Sequence, residues 1–329
     1  MHASGTIAPP PSVGRRAGRR SNARREVEIE VELDGELDLS SSLEMFRRSG
    51  DDLLDRWDGT SFIRTITIDG RAVAFAISLA ARQERPNRPI VRVTVEDCGY
   101  AEPVASAVRA TFVAPARQFS ALRRADSLVA RLAARYLGFR PVLQLDLLGA
   151  LVRCISAQQV NLRWAAETRR RLAERFGNRH TVANATVYSL NAERLSNTTV
   201  AEIRALQFTN RKAEYIIAVA QAVASHRVSL ERLSTLGDDE VIADLVELRG
   251  IGAWTAEWIL ARSMGRPRVV AGDLGVRKAV GIAYAGGALP SVDEVRTLTA
   301  HWGRGATHAQ ALLLHSLGEK HLESLVAEP

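Results

Sequence analysis

The stretch DDEVIADLVELRGIGAWTAEWILARSMGRPRVVAGDLGVRKAV, residues 238–280, decides how this chain is read. Val241, Leu245 and Leu248 recur at the spacing of one helical face, and Asp238 or Asp239 can cap that helix. Leu248-Arg249-Gly250-Ile251-Gly252 interrupts the pattern. A second helix, Ala253–Met264, resumes it and stops at Gly265, with Pro267 just beyond. Helix, Gly-x-Gly turn, helix is an arrangement that suits a backbone phosphate: glycines let the main chain come close, and the second helix offers free N–H groups at its start. Twenty residues after Gly252 comes Gly272-Asp273-Leu274, opening another helix over Leu274–Tyr284. A bare Gly-x-Gly serves many tight helix turns. The longer string, with Trp254-Thr255-Ala256 and the downstream Asp, is far more specific.

Charge placement points to the same segment. The chain has 329 residues and a net charge of +7. Residues 1–25 hold six arginines and no acid, which leaves the remaining body at +1. Between 249 and 278, however, Arg249, Arg262, Arg266, Arg268, Arg277 and Lys278 face only Glu257 and Asp273, a local +4. The tail, rich in Gly, Ser, Pro and Arg, is expected to be disordered, serving solubility or an auxiliary contact to a polyanion. Two cysteines, Cys98 and Cys154, exclude a disulfide framework, a Cys-rich zinc site and a four-Cys iron–sulfur cluster. No apolar run has membrane-spanning length and Met1 is not followed by an apolar signal segment, so a cytoplasmic protein is expected. His308 and His315 stand one heptad apart but lack further convergent ligands, and no metal is expected.

Outside this segment the chain divides in two. VEIEVEL alternates Val27, Ile29, Val31 and Leu33 with Glu28, Glu30 and Glu32, the pattern of a half-buried strand at a charge-guarded sheet edge. FIRTITI (62–68), VAFAISL (73–79) and IVRVTV (90–95) read as further strands, the first two joined through Asp69-Gly70. Helical pieces near Leu43–Trp57 and Val104–Phe112 would cover one face. Residues 26–118 thus predict a small α+β domain with an antiparallel sheet. From 119 to 329 the spacing predicts a larger all-helical domain, including helices over 126–138, 143–176, 185–191, 211–225 and 306–324.

LRGIGAWTA followed by AGDLGVRKAV resembles the helix-hairpin-helix DNA glycosylases, and most closely the AlkA-like 3-methyladenine DNA glycosylase II family. ALVRCISAQQVN (150–161) and LQFTNRKAEYI (206–216) are similar to two other stretches of that family, although its usual Gly in the second is Phe208 or Thr209 here. The resemblance implies an α+β domain in front of a two-lobed helical glycosylase domain. It implies a bacterial, nucleoid-associated monomer acting on double-stranded DNA with damaged bases, without a cofactor; a monovalent ion at the hairpin stays open by analogy. The activity implied is hydrolysis of the N-glycosidic bond of everted alkylated purines in base excision repair. A glycosylase for deaminated or oxidised bases and a non-catalytic DNA-binding module are the alternatives.

By the same resemblance Asp273 is the catalytic carboxylate, although an Asp before a helix is also a natural N-cap. Trp254, Trp258 and Leu274 would line the base pocket. The two tryptophans, four residues apart on one helix face, would equally suit core packing. Trp254 occupies the position where bifunctional relatives carry a Lys, so no lyase activity is expected. Arg249, Gly250, Ile251, Gly252, Arg277 and Lys278 would bind the DNA backbone. Gln159 would wedge into the duplex, while its neighbour Gln158 would suit a helix cap or an interlobe hydrogen bond. The last helix has no Trp to close the pocket, a role Trp302 could take instead.

Overall fold

The computed structural model describes residues 25–80 and 87–327; all of the expected basic tail except Arg25 lies outside them. The chain begins with β1 (Val27–Glu32), α1 (Leu39–Ser49), β2 (Asp55–Trp57), β3 (Phe62–Ile68), β4 (Arg71–Leu79), β5 (Ile90–Val95) and α2 (Ala101–Thr111). The five strands form one antiparallel sheet in the order β1-β5-β4-β3-β2. As the alternation predicts, β1 is an edge strand, with Val31 buried and Glu28, Glu30 and Glu32 exposed. Asp69 and Gly70 both take positive φ, 49° and 75°, the backbone of a two-residue turn that matches strand twist. Leu43 and Phe46 of α1 and Val104 and Val108 of α2 pack on Phe62, Phe75, Ile77 and Val93. Each such fully buried side chain contributes about 1.5–3 kcal/mol of transfer free energy.

Then follow α3 (Arg117–Ala125), α4 (Ser127–Arg135), α5 (Leu147–Ala157), α6 (Leu162–Phe176), β6 (Asn178–Val182) and β7 (Ala185–Ser189). The chain continues through α7 (Ala192–Ser196), α8 (Val200–Ala205), α9 (Asn210–Ala224), α10 (Leu230–Ser234), α11 (Asp238–Val246) and α12 (Ala253–Arg262). It ends with α13 (Leu274–Tyr284), α14 (Val292–Leu298), α15 (Ala306–Gly318) and α16 (Leu322–Ala327). Two separate helical cores result. One is built from α5 through α12, with Leu151, Ile155, Ile216, Leu245 and Ile259 at its centre. The other joins α3 and α4 to the helices after α12, through Leu132, Val276, Val280, Trp302 and Leu312. The chain thus leaves the second lobe, builds the first, and returns. α12 and α13 lie on opposite sides of that seam.

Several expectations are corrected. The region after residue 119 is not all-helical, because Ala185–Ser189, within the helix expected over 185–191, forms strand β7, paired with β6. Ala183 and Asn184 carry φ of 49° and 60°, a tight hairpin turn, and the hairpin's Val182 and Val187 pack against Ile63, Ala74 and Ala76 of the sheet. The helix expected over Leu43–Trp57 stops at Gly50 (φ 99°) and gives way to β2. The helical run 143–176 is two helices separated at 158–161, and 306–324 likewise breaks after Gly318. α3 begins two residues before the boundary expected at 119, and its Phe119 and Leu122 lie in the second helical core. No helix among the described residues is long and apolar enough to cross a membrane.

A buried ionic network fastens the sheet region to α5 and α6. Asp52 accepts from Arg169 at 2.8 Å and pairs with Arg153 at 2.9 Å, while Arg153 and Arg64 both pair with Asp55. The two arginines outweigh the burial of Asp52 and hold its carboxyl down at about 2. Arg169 also donates to the Ser156 hydroxyl, which anchors the end of α5 from which residues 158–161 depart.

Candidate active site

The hairpin is assembled from all three sequence stretches singled out above. Val241, Leu245 and Leu248 are buried as their spacing predicts. The cap of α11 differs: Gly237 takes that position, its N–H donating to Glu240, while Asp238 pairs with Arg266. Gly250 has φ +89°, and a Cβ there would fall 2.1 Å from the ring of Tyr215 on α9. Gln158 donates to the Gly250 carbonyl at 3.2 Å, a bond within the first lobe and not between the lobes. Lys212 donates to the Ser156 carbonyl at 2.8 Å, and burial draws its pKa below the ordinary lysine value. Segments 150–161 and 206–216 thus brace the Gly-x-Gly turn from below. Gly252 is different. It caps α12 with no side-chain acceptor, and a Cβ there would meet nothing within 4 Å. The first-turn amides of α12 therefore stay open to an anion.

Asp273 caps α13, accepting from the Val276 amide at 3.0 Å through Oδ1. Its second oxygen accepts from Trp254 Nε1 at 3.2 Å. The carboxylate is therefore held from both sides of the seam, by α13 and by α12. Gly275 leaves it room, since a Cβ there would lie 3.0 Å from Oδ1. The preceding loop is pinned by Gln310 of α15, whose side-chain oxygen accepts from the Val270 amide at 2.8 Å. Cys154 lies buried nearby. Burial, reinforced by the Asp273 charge, pushes its thiol well up, so it stays protonated and is no nucleophile.

The remaining candidate residues are distributed as follows. Trp254 and Trp258 are both half-buried, Trp254 against Asp273 and Trp258 against the first helical core. Leu274 is 54% exposed beside Asp273. Gln159 is exposed, with φ 56°, and next to it Val160, Leu162 and Trp164 form an exposed apolar flank that the sequence reading did not single out. Arg249 is exposed and pairs with Glu214 at 2.6 Å. Arg277 donates through Nε to the Pro290 carbonyl, and Lys278 is exposed on α13. Much of the local +4 is structural: Arg266 is bound to Asp238 and to the Leu236 carbonyl, and Arg268 to the buried Glu257.

Trp302 cannot close a pocket, because it is buried in the second core with its indole N–H on Tyr284. His308 and His315 are core residues, His308 bonded to the Val113 carbonyl and His315 packed on Tyr136 and Phe139. Glu96, His180 and Ser189 align in hydrogen-bond sequence, with His180 3.1 Å from Glu96 and 3.0 Å from Ser189. All three are buried, so the row joins the hairpin to the sheet and no substrate reaches it.

Fold and site together define a class: a two-lobed helix-hairpin-helix protein with a carboxylate at the lobe seam, within bonding distance of the hairpin's second helix. Residues 152–304 match the model of the HhH-GPD superfamily, described as base excision DNA repair proteins. A DNA-3-methyladenine glycosylase of Bacillus subtilis is 28% identical over 194 residues, 58% of this chain and 64% of that protein. DNA-3-methyladenine glycosylase 1 of Schizosaccharomyces pombe is 35% identical over 77 residues, 23% of this chain and 34% of that one. The chain therefore spans less than two thirds of the length of these relatives. A solved 3-methyladenine DNA-glycosylase from Archaeoglobus fulgidus shares the fold at a TM-score of 0.76 and 24% identity, covering 88% of this chain and 98% of that one. Residues 152–304 of this chain are thus similar to the helix-hairpin-helix (HhH-GPD) superfamily of base excision DNA repair proteins.

Proposed function

We propose that this protein is a monofunctional DNA glycosylase of the AlkA-like type, a monomer that everts alkylated purines from double-stranded DNA and hydrolyses their N-glycosidic bond. The observation that carries the proposal is the Trp254–Asp273 hydrogen bond across the seam. Simple phosphate binding needs neither a carboxylate nor an indole there. Bond cleavage leaves the electron pair on the base and positive charge on the sugar, which an ionised carboxylate stabilises. Asp273 then guides water to C1′ and takes its proton. The face of Trp254 or Trp258 favours a cationic alkylated ring by about 1–2 kcal/mol when desolvated. The open amides at Gly252, with Arg249, Arg277 and Lys278, would hold the backbone, and Gln159 would fill the vacated stack. The absence of a lysine at position 254 supports hydrolysis without strand cleavage.

The test is release of methylated bases from alkylated duplex DNA by wild type and by Asp273→Asn with folding confirmed. Release by the wild type and a loss of 10³-fold or more in the variant are expected on electrostatic grounds. Near wild-type release by Asp273→Asn would remove the carboxylate from the mechanism. Trapping of a covalent enzyme–DNA adduct by borohydride would overturn the monofunctional reading.

A further inference from the structure

Along α12, Thr255, Ala256, Glu257, Ile259, Leu260 and Ala261 are buried, whereas Trp254, Trp258 and Arg262 are half-buried. Those three stand at i, i+4 and i+8, so they form one stripe, the open face of an otherwise enclosed helix. The stripe begins at Asp273, on which Trp254 is bonded, and ends at Arg262. Arg262 has no hydrogen-bond or ion-pair partner for its guanidinium among the described residues. Its neighbours differ: Arg266, Arg268 and Arg277 each bind a carboxylate or a carbonyl. A half-buried guanidinium with no partner among the described residues, on the open face of a helix that reaches the carboxylate, is free to meet a ligand. Burial draws the pKa of Arg262 below the ordinary value, and the Asp273 charge acts against that shift, which places the two groups within electrostatic reach.

Eight residues of helix separate Trp254 and Arg262 by roughly 12 Å along the axis. Helical side chains lean toward the N-terminus, a direction that brings an arginine at 262 toward the turn of Trp258. The span left between it and the Trp254–Asp273 contact suits a purine whose sugar bond is at the carboxylate.

We propose that Arg262 contacts the everted base, donating to the O6 and N7 acceptors of a purine lying over Trp258, and thereby sets substrate preference by charge. The proposal rests on the glycosylase reading above. Its consequence is asymmetric. A neutral 6-oxopurine such as hypoxanthine leaves as an anion: the C1′–N9 bond breaks with its electron pair on the base, water adds to C1′, and a proton from that water ends on the base. A guanidinium at O6 and N7 stabilises this developing negative charge and bonds two acceptors at once. An alkylated purine already carries positive charge and leaves neutral, so the same guanidinium repels it and gains nothing at cleavage. Arg262 thus opposes the preference of the tryptophan faces and widens the site toward neutral lesions. Guanine is spared by the stability of its pair, since a mispaired base costs less to evert.

Single-turnover release of hypoxanthine and of 7-methylguanine, each in duplexes of the same sequence, tests this in wild type, Arg262→Met and Arg262→Lys. The hypoxanthine-to-7-methylguanine rate ratio should fall at least tenfold in Arg262→Met, with Arg262→Lys between the two. A ratio within twofold of wild type in Arg262→Met overturns the proposal, as does a wild type that releases 7-methylguanine but no hypoxanthine. Both results leave the glycosylase reading standing. A wild type that releases neither base removes both. Should Arg262→Met fail to fold, Arg262→Lys decides, since it keeps the charge and loses the two-pronged geometry; an unchanged ratio there is equally fatal.

Discussion

Replacing Gly250 by alanine should damage the hairpin through two separable terms. The first is conformational: φ is +89°, where a Cβ meets the following carbonyl, and an L-residue pays about 1–2 kcal/mol. The second is steric. The new Cβ would fall 2.1 Å from the Tyr215 ring, against the 3.5–4.0 Å of an optimal carbon contact, so the ring must withdraw by about 1.5 Å. Overpacking of that kind costs about 1–3 kcal/mol. Together they predict a loss of about 2–5 kcal/mol in urea or thermal unfolding. Tyr215→Ala removes the second term only, so in that background Gly250→Ala should cost about 1–2 kcal/mol. The double-mutant cycle should therefore report a coupling of at least about 1 kcal/mol, well above the few tenths expected of independent sites. Gly252→Ala is the control. Its φ of −108° and empty surroundings predict a folding effect within about 0.5 kcal/mol, with weakened duplex binding because the methyl group stands where a phosphate would approach. A coupling near zero, or equal destabilisation by both alanines, would refute this division of labour between the two glycines.

Trp254→Phe keeps an aromatic face and removes the N–H bonded to Asp273; losing one positioning hydrogen bond of about 1–1.5 kcal/mol predicts roughly tenfold slower single-turnover release with little change in duplex affinity. A rate within twofold of wild type would show that the indole does not orient the carboxylate. Acid should destabilise the fold in two windows. Burial lowers His308 from 6.5 to about 4, so between those values the unfolded chain binds a proton that the native state refuses, and stability falls as pH drops. Asp52, held at about 2 against 3.8 unfolded, adds a second loss below pH 4. Urea midpoints at pH 7, 5 and 3 should decline in order, and His308→Gln should flatten the step between 7 and 5; a flat profile in the wild type would contradict both assignments.

Periodicity made the local elements legible, and long-range pairing stayed hidden. The alternation at residues 27–33 placed an edge strand, Asp69-Gly70 placed a turn, and α13 has the limits Leu274–Tyr284 that its spacing predicts. The β6–β7 hairpin was missed because its turn is Ala183-Asn184, with no glycine, and its apolar residues are paid attention only by a sheet far away in sequence. The Asp52–Arg169 bond joins residues 117 positions apart, which no window of sequence reveals. The pocket role that the family resemblance offers Trp302 fails because its indole N–H has a buried partner in Tyr284. Arg262 was visible only as one charge among six. The clue was its place eight residues after Trp254, on the same helical stripe.

That same arginine shows why counting charge around the hairpin misleads. Of the six cations between 249 and 278, Arg249 is paired with Glu214, Arg266 with Asp238, Arg268 with Glu257, and Arg277 is bonded to the Pro290 carbonyl. Two remain without such a partner among the described residues, and they differ in kind. Lys278 is exposed on α13, where it adds to whatever potential attracts a phosphate. Arg262 is half-buried on the same helical stripe as Trp254 and Trp258. With so few free cations in this segment, the uncapped amides after Gly252 become its principal anion-binding element, because they need no counter-charge and are fixed by the fold. The cation kept inside then has the reacting base as its natural partner, and binding and chemistry draw on different positive charges of one thirty-residue segment.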